Sequence, residues 1–145
     1  MNRKMLLGDP PVIHITGQDF GRLDVLLANL STKPDTNKPT MEFLRVEVDR
    51  ARLIDEADIV APFVQIGSRV LFWDEHGKTY RFTLVLPGQK PSELGNISVV
   101  TPVGAALLGL SEGQSISYET PDDRIKTITV LKISAIPSAT ALTPS

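Results

Sequence analysis

The spacing of apolar residues changes period once, near residue 60, and no single regular element can run through that change. Before it, Phe20, Leu23, Leu26, Leu27 and Leu30 recur at helical intervals, and Met41, Leu44, Val48, Ala51 and Ile54 do so again. After it come short β-prone runs, Arg69-Val-Leu-Phe-Trp73 and Thr79-Tyr-Arg-Phe-Thr-Leu-Val85, around the turn-forming Asp74-Glu-His-Gly-Lys78. The chain therefore predicts a helical part followed by a strand part.

The helical part reads as two amphipathic helices. Thr16 with an acid three residues on, Asp19, resembles a helix-starting capping box, and the first helix would run for about 12 residues, roughly 18 Å. Ser31-Thr-Lys-Pro-Asp-Thr-Asn-Lys-Pro39 breaks it. Thr40 is placed to cap the second helix, whose Glu47, Asp49, Arg50 and Arg52 sit largely opposite the apolar stripe. Two such helices across a short turn predict an antiparallel hairpin. Val12-Ile-His-Ile15 before them is a short β-prone run, and residues 1–11 read as a flexible leader.

The strand part continues with a turn-rich loop over residues 87–96 and a strand over 97–101. A short helix from Val103 to Leu108, with Pro102 in its first turn, ends at Gly109. Strands near 115–119 and 125–133 follow, and residues 135–145 lack periodicity and read as a mobile tail. The expected organisation is a leader over 1–11, the helical hairpin over 12–58, a small sheet domain over 59–134 and the tail.

Several chemistries find no support. There are no cysteines, which removes disulfides, thiolate metal sites and thiol nucleophiles. A net charge of −2 leaves no excess of cations for phosphates, so direct, specific nucleic-acid binding is not expected. The start has only a three-residue apolar run, and no stretch is long enough to span a bilayer, which predicts a cytoplasmic protein with no membrane partner. Gly77-Lys78-Thr79 ends like a phosphate loop, but Phe72 stands where the motif needs glycine, and a hairpin is the wrong context. His14 and His76 lack metal-ligand spacing. Asp55, Glu56 and Asp58 read as a solvated helix end, and Gly104, Gly109 and Gly113 as a close contact, a helix end and a turn. Neither a cofactor nor a metal is expected.

One segment is more specific. Ile97-Ser-Val-Val-Thr-Pro-Val-Gly-Ala-Ala-Leu-Leu-Gly-Leu-Ser-Glu-Gly113 resembles the signature of the C-terminal domain of Gre-type transcript cleavage factors. Asp19-Phe-Gly-Arg-Leu-Asp-Val-Leu-Leu27 and Leu44-Arg-Val-Glu-Val-Asp-Arg-Ala51 resemble the shortened Gre relatives called regulators of nucleoside diphosphate kinase (Rnk). The resemblance covers about residues 12–134. It implies an α+β fold: a short antiparallel helical hairpin, or coiled-coil stub, followed by an FKBP-like, mainly antiparallel β domain with one short helix.

The resemblance also implies a partner, RNA polymerase. Gre factors dock their globular domain at the rim of its secondary channel and send a long coiled coil inside, where acids at the tip help hold a catalytic magnesium. Here the tip offers Asp35 between Lys33 and Lys38, a poor ligand set for a divalent ion. A hairpin of about 18–20 Å is also short for a deep active site. Docking is therefore carried over and transcript cleavage is not. The expected role is a non-enzymatic, monomeric regulator that competes with longer channel-entering factors. Docking is assigned to Glu93, Asn96, Ser98, Thr101 and Pro102, with Lys33, Asp35 and Lys38 at the hairpin tip as weaker contacts. The alternative is that Ser98 and Pro102 only shape a turn and a helix start, and that a solvated turn explains the tip. Two other functions stay open: an interaction module for another target such as nucleoside diphosphate kinase, and an FKBP-like peptidyl-prolyl isomerase, against which the 6% aromatic content speaks.

Overall fold

The computed structural model describes residues 10–33, 38–88 and 95–134. Strand β1 (His14–Thr16) leads directly into helix α1 (Gly17–Leu30), and helix α2 (Lys38–Arg50) returns to strand β2 (Arg52–Ile54), which pairs with β1 in parallel. A 3-10 turn (Glu56–Asp58) precedes a five-stranded sheet. Its strands are β3 (Arg69–Asp74), β4 (Thr79–Val85), β5 (Asn96–Ser98), β6 (Ser115–Glu119) and β7 (Ile125–Ser134), in the order β5-β4-β3-β7-β6. All neighbours are antiparallel except β4 and β5. Helix α3 (Pro102–Leu107) lies between β5 and β6 in the chain. The α+β organisation, a helical hairpin and then a mainly antiparallel sheet with one short helix, is the one expected.

Local chemistry explains most boundaries. Thr16 caps α1 by accepting the Asp19 N–H at 3.1 Å. The other half of the expected capping box differs: the Asp19 carboxylate accepts the Ile66 N–H at 2.9 Å, 47 residues on. Helix α2 starts at Lys38 and not at the expected cap Thr40. Pro39 has no N–H to lose in a first turn, so Thr40 lies inside the helix and is buried. Residues 52–54, expected to continue the helix, form β2 because β1 offers them a backbone edge. Asp55 accordingly sits just before the exposed 3-10 turn, and Glu56 and Asp58 sit within it, and not at the end of α2.

A second correction concerns charge. Glu47, expected on the outer side of α2, is only 3% exposed. It takes two hydrogen bonds from Arg50, at 2.9 and 2.7 Å, and Arg50 also donates to the Pro11 carbonyl at 2.6 Å. The pair closes the edge of the core where the chain enters β1.

That core is one cluster. Leu23, Leu27, Leu44 and Val48 of the hairpin pack with Ile13 and Ile15, with Val70, Phe72 and Val130 of the sheet, and with Leu107 and Leu110. Backbone bonds reinforce the union: His14 N–H to Gly109 O at 3.3 Å, Val64 N–H to Leu110 O at 2.8 Å and Gly109 N–H to Val64 O at 2.9 Å. Gly109 ends α3 with a φ of +81°, and a Cβ there would lie 2.8 Å from both the His14 carbonyl and the Ile13 Cβ. The apolar stripe of α2 therefore faces α3 and the sheet as well as α1.

Asp19 gives a pH prediction. Burial pushes its carboxyl above the ordinary 3.8, against the opposing Ile66 N–H and the nearby Arg22 guanidinium. A raised folded-state pKa means the stabilising contribution is complete below 3.8 and is lost as pH rises through the raised value. Asp19→Asn keeps an acceptor for Ile66 and cannot ionise. Urea unfolding at pH 4 and pH 7 is expected to show the variant losing less stability over that interval than the parent. A parent that loses less than the variant contradicts this account.

Candidate functional site

The segment carrying the sequence signature is a strand, a tight turn and a helix start. Only residues 96–98 form the strand, because residues 99–101, expected to extend it, turn away. The Ser98 carbonyl accepts both the Thr101 N–H at 3.1 Å and the Thr101 hydroxyl at 2.7 Å. The Thr101 oxygen caps α3 by accepting the Gly104 N–H at 3.1 Å, and the Ser98 hydroxyl accepts the Val100 N–H at 3.2 Å. Pro102 opens the helix, where a missing N–H costs nothing. Gly104 makes the turn possible: a Cβ there would stand 2.0 Å from the Ser98 carbonyl oxygen.

The geometry sorts the expected docking residues. Asn96, Ser98, Thr101 and Pro102 are brought together on the edge strand and helix start, each half-buried. The hydroxyls of Ser98 and Thr101 are engaged in holding the turn. Pro102 presents its ring from the rigid helix start. Glu93 and Asp35 lie outside the described residues. Lys33 and Lys38 are exposed at the two ends of the hairpin tip, away from the signature segment.

The same segment borders a cleft of about 330 Å³ that sequence reasoning did not assemble. Ile97 and Val103 form one wall, and Phe72, Tyr80, Phe82 and Tyr118 supply the rings. Phe72 and Tyr80 stack at 5.4 Å, and Tyr80 and Phe82 at 6.3 Å. Even spacing along β3 and β4 signalled the first three, because alternate residues share a sheet face. Tyr118 alternates with Ile116 along β6, but only the sheet order brings it to these rings.

Three of the cleft's ionisable groups, Asp74, Tyr80 and Tyr118, each keep one charge state near neutrality. Burial alone would raise the Asp74 carboxyl. The N–H groups of Lys78 and His76 and the Tyr80 hydroxyl, at 3.0, 2.9 and 3.0 Å, outweigh burial and hold it below its ordinary value. The bond to Asp74 raises Tyr80 in turn, and burial pushes Tyr118 up to about 12. Both phenols therefore stay protonated. The cleft offers aromatic walls and hydrogen-bond donors, and none of these three groups is poised to exchange a proton at neutral pH. Among the described residues, no group of three or more histidine, aspartate and glutamate side chains could hold a metal ion. No described helix is long and apolar enough to cross a membrane.

Comparison with known proteins places this geometry. The model of the C-terminal domain of the transcription elongation factors GreA/GreB matches residues 60–135, and that of the Rnk N-terminus matches residues 11–54. The chain is 34% identical over 130 residues to the regulator of nucleoside diphosphate kinase of Escherichia coli K12, covering 89% of this chain and 93% of that one. It is 42% identical over 86 residues to transcription elongation factor GreA of Roseiflexus castenholzii, covering 58% of this chain and 54% of that protein. Among solved structures, a GreA/GreB elongation factor from Nitrosomonas europaea superposes with a TM-score of 0.64 at 31% identity, over 86% of this chain and 98% of that chain.

Proposed function

Since the chain belongs to the GreA/GreB family of transcription elongation factors, with an N-terminal segment of the Rnk type, we propose that it regulates transcription by docking on RNA polymerase at the rim of the secondary channel, without cleaving the transcript. The observation that carries this reading is the locked turn of residues 98–104, which holds Pro102 and the edge strand in one half-buried surface. Loops held on a rigid sheet are where recognition concentrates.

The hairpin supports docking without cleavage. Helix α1 has 14 residues and α2 has 13, so each is about 20 Å long at 1.5 Å per residue. One face of each, with Leu23 and Leu27 on α1 and Leu44 and Val48 on α2, is already buried in the core. Lys33 and Lys38 flank the tip, and two ammonium groups oppose a divalent cation. Occupying the channel mouth with so short an arm excludes longer factors by competition. The protein acts in the cytoplasm as a monomer.

Co-purification with core RNA polymerase tests the proposal. The parent chain is expected to bind at micromolar concentration. Pro102→Ala, with Asn96→Ala as a second variant, is expected to weaken binding about tenfold, a loss typical of one central contact, while the melting temperature of Pro102→Ala stays near that of the parent. No association at that concentration rejects the reading. Mass spectrometry of the captured proteins covers the reading suggested by the relative's name, a nucleoside diphosphate kinase target, which would appear in place of polymerase. The aromatic cleft favours one other reading, FKBP-like peptidyl-prolyl isomerase activity at Phe72, Tyr80, Phe82 and Tyr118. A prolyl-isomerisation assay with a Tyr118→Phe control decides it.

A further inference from the structure

The core of the molecule covers one face of the five-stranded sheet. Val70, Phe72, Ile116, Tyr118, Ile128 and Val130 point into it. Alternate residues of the same strands point the other way, and register lays them out in rows. Arg69 lies between Thr83 and Ser134, Leu71 between Arg81 and Lys132, and Trp73 between Thr79 and Thr129. Ser115 stands beyond Thr129, and Ser117 pairs with Thr127.

A bulge creates this arrangement. Leu71 pairs with Lys132 but Phe72 pairs with Val130, leaving Leu131 as an extra residue. Strict alternation would send Lys132 to the core face beside Val130. The extra residue reverses the faces, so Lys132 emerges on the open side and Ile133 is buried.

The open face has a marked charge imbalance in a chain of net charge −2. Arg81 and Lys132 are exposed, and with Arg69, Leu71 and Ser134 they line a depression of about 230 Å³. Among the described residues, none of the three cations forms an ion pair, and the buried Nε of Arg69 has no hydrogen-bond partner. The acids bordering this face are Glu119, at its far end, Glu75, which is tied to the Thr127 N–H at 3.0 Å, and Glu112, which is tied to the Ile133 N–H at 2.9 Å. One row from the cations, Trp73 is 42% exposed. Beyond it lie the hydroxyl pairs Ser115–Thr129 at 2.6 Å and Ser117–Thr127 at 2.8 Å.

We propose that this face binds single-stranded RNA, with backbone phosphates on Arg69, Arg81 and Lys132 and a base stacked on Trp73. Three unpaired cations call for a polyanion. An acidic polypeptide would satisfy them and leave the indole unused, whereas a single strand uses both, since base stacking on an aromatic ring adds to phosphate contacts. The hydroxyl rows suit the ribose 2′-hydroxyl, which donates and accepts and which DNA lacks. Three cations make the binding modest and insensitive to sequence. This site lies on the opposite side of the sheet from the cleft and is tested with the protein alone, so its failure leaves polymerase docking untouched.

The test is fluorescence anisotropy of a labelled oligouridylate of about 12 nucleotides, titrated with the full chain at increasing salt. Binding is expected at low salt. Three single-strand contacts at about −0.7 each predict a slope of log K against log salt near −2. Trp73 is the only tryptophan, so its emission reports stacking directly and is expected to be quenched. The double variant Arg81→Gln, Lys132→Gln is expected to bind at least about tenfold more weakly with a shallower slope. Trp73→Leu should weaken binding with the slope unchanged. Absence of binding at about 100 µM protein and low salt overturns the proposal. So does equal binding of the deoxy oligomer, or competition by polyglutamate with no quenching, which would identify an acidic polypeptide as the occupant.

Discussion

Gly104→Ala is expected to be the most damaging small substitution in the chain. The added carbon would stand 2.0 Å from the Ser98 carbonyl oxygen and 2.8 Å from its carbon, and both are backbone atoms that no rotamer change can move. The same carbonyl anchors Thr101 through two hydrogen bonds, so relieving the clash opens the turn and uncaps α3. Overpacking of this kind, with a lost cap, costs about 3 kcal/mol or more. For a chain of this size that corresponds to a melting temperature lower by roughly 10 °C. Thermal unfolding followed by circular dichroism reads the loss, and polymerase capture is expected to fall with it. A variant that melts within a degree or two of the parent would show that the turn is not rigid, and the docking surface would lose its physical basis.

Arg50→Ala ranks second. Glu47 is 3% exposed and Arg50 23%, so removing the guanidinium leaves a carboxylate in the core edge with neither of its two hydrogen bonds. Breaking a buried pair from one side costs about 3–5 kcal/mol, mostly as the penalty for the charge left behind. Replacing both partners, Glu47→Leu with Arg50→Leu, removes that penalty and is expected to recover most of the loss. The remainder reflects the Pro11 carbonyl, which loses its donor. Urea unfolding of the parent, the single and the double variant makes the comparison. A double variant no more stable than the single would mean that Arg50 matters through its bond to Pro11 and its packing, and not through the charge of Glu47.

The features legible in the sequence were those written in local chemistry. Thr16 announced a cap, the glycine at 109 announced a helix end, and period-two runs marked β3, β4, β6 and β7, because each depends on residues within a few positions. What escaped depended on distant partners. Residues 52–54 are extended because His14 to Thr16 offer an edge far away in sequence. Asp19 serves Ile66 in place of its own helix start. Glu47 reads as a surface acid until Arg50 and the Pro11 carbonyl are placed beside it. The candidate site shows the same division. Residues 97–113 stood out as a motif, but only the fold reveals that Ser98 and Thr101 bond the turn itself, that Tyr118 completes an aromatic cleft, and that one extra residue in β7 turns a lysine to the open face.

The way the helical pair joins the sheet also fixes how the molecule can reach. The Gln114 side chain bonds the Val12 carbonyl at 3.1 Å, the His14 ring lies 5.6 Å from that of Phe63, and Asp19 grips Ile66. These ties flank the arm's root on several sides, so it has no pivot. Under the proposed docking, the seat of the sheet sets the stub's depth and bearing, as with a key whose blade is cut from the same metal as its bow. Lengthening α1 and α2 by matched turns would then advance the tip by about 5.4 Å per turn without changing where the protein sits, making reach a quantity that can be dialled in steps.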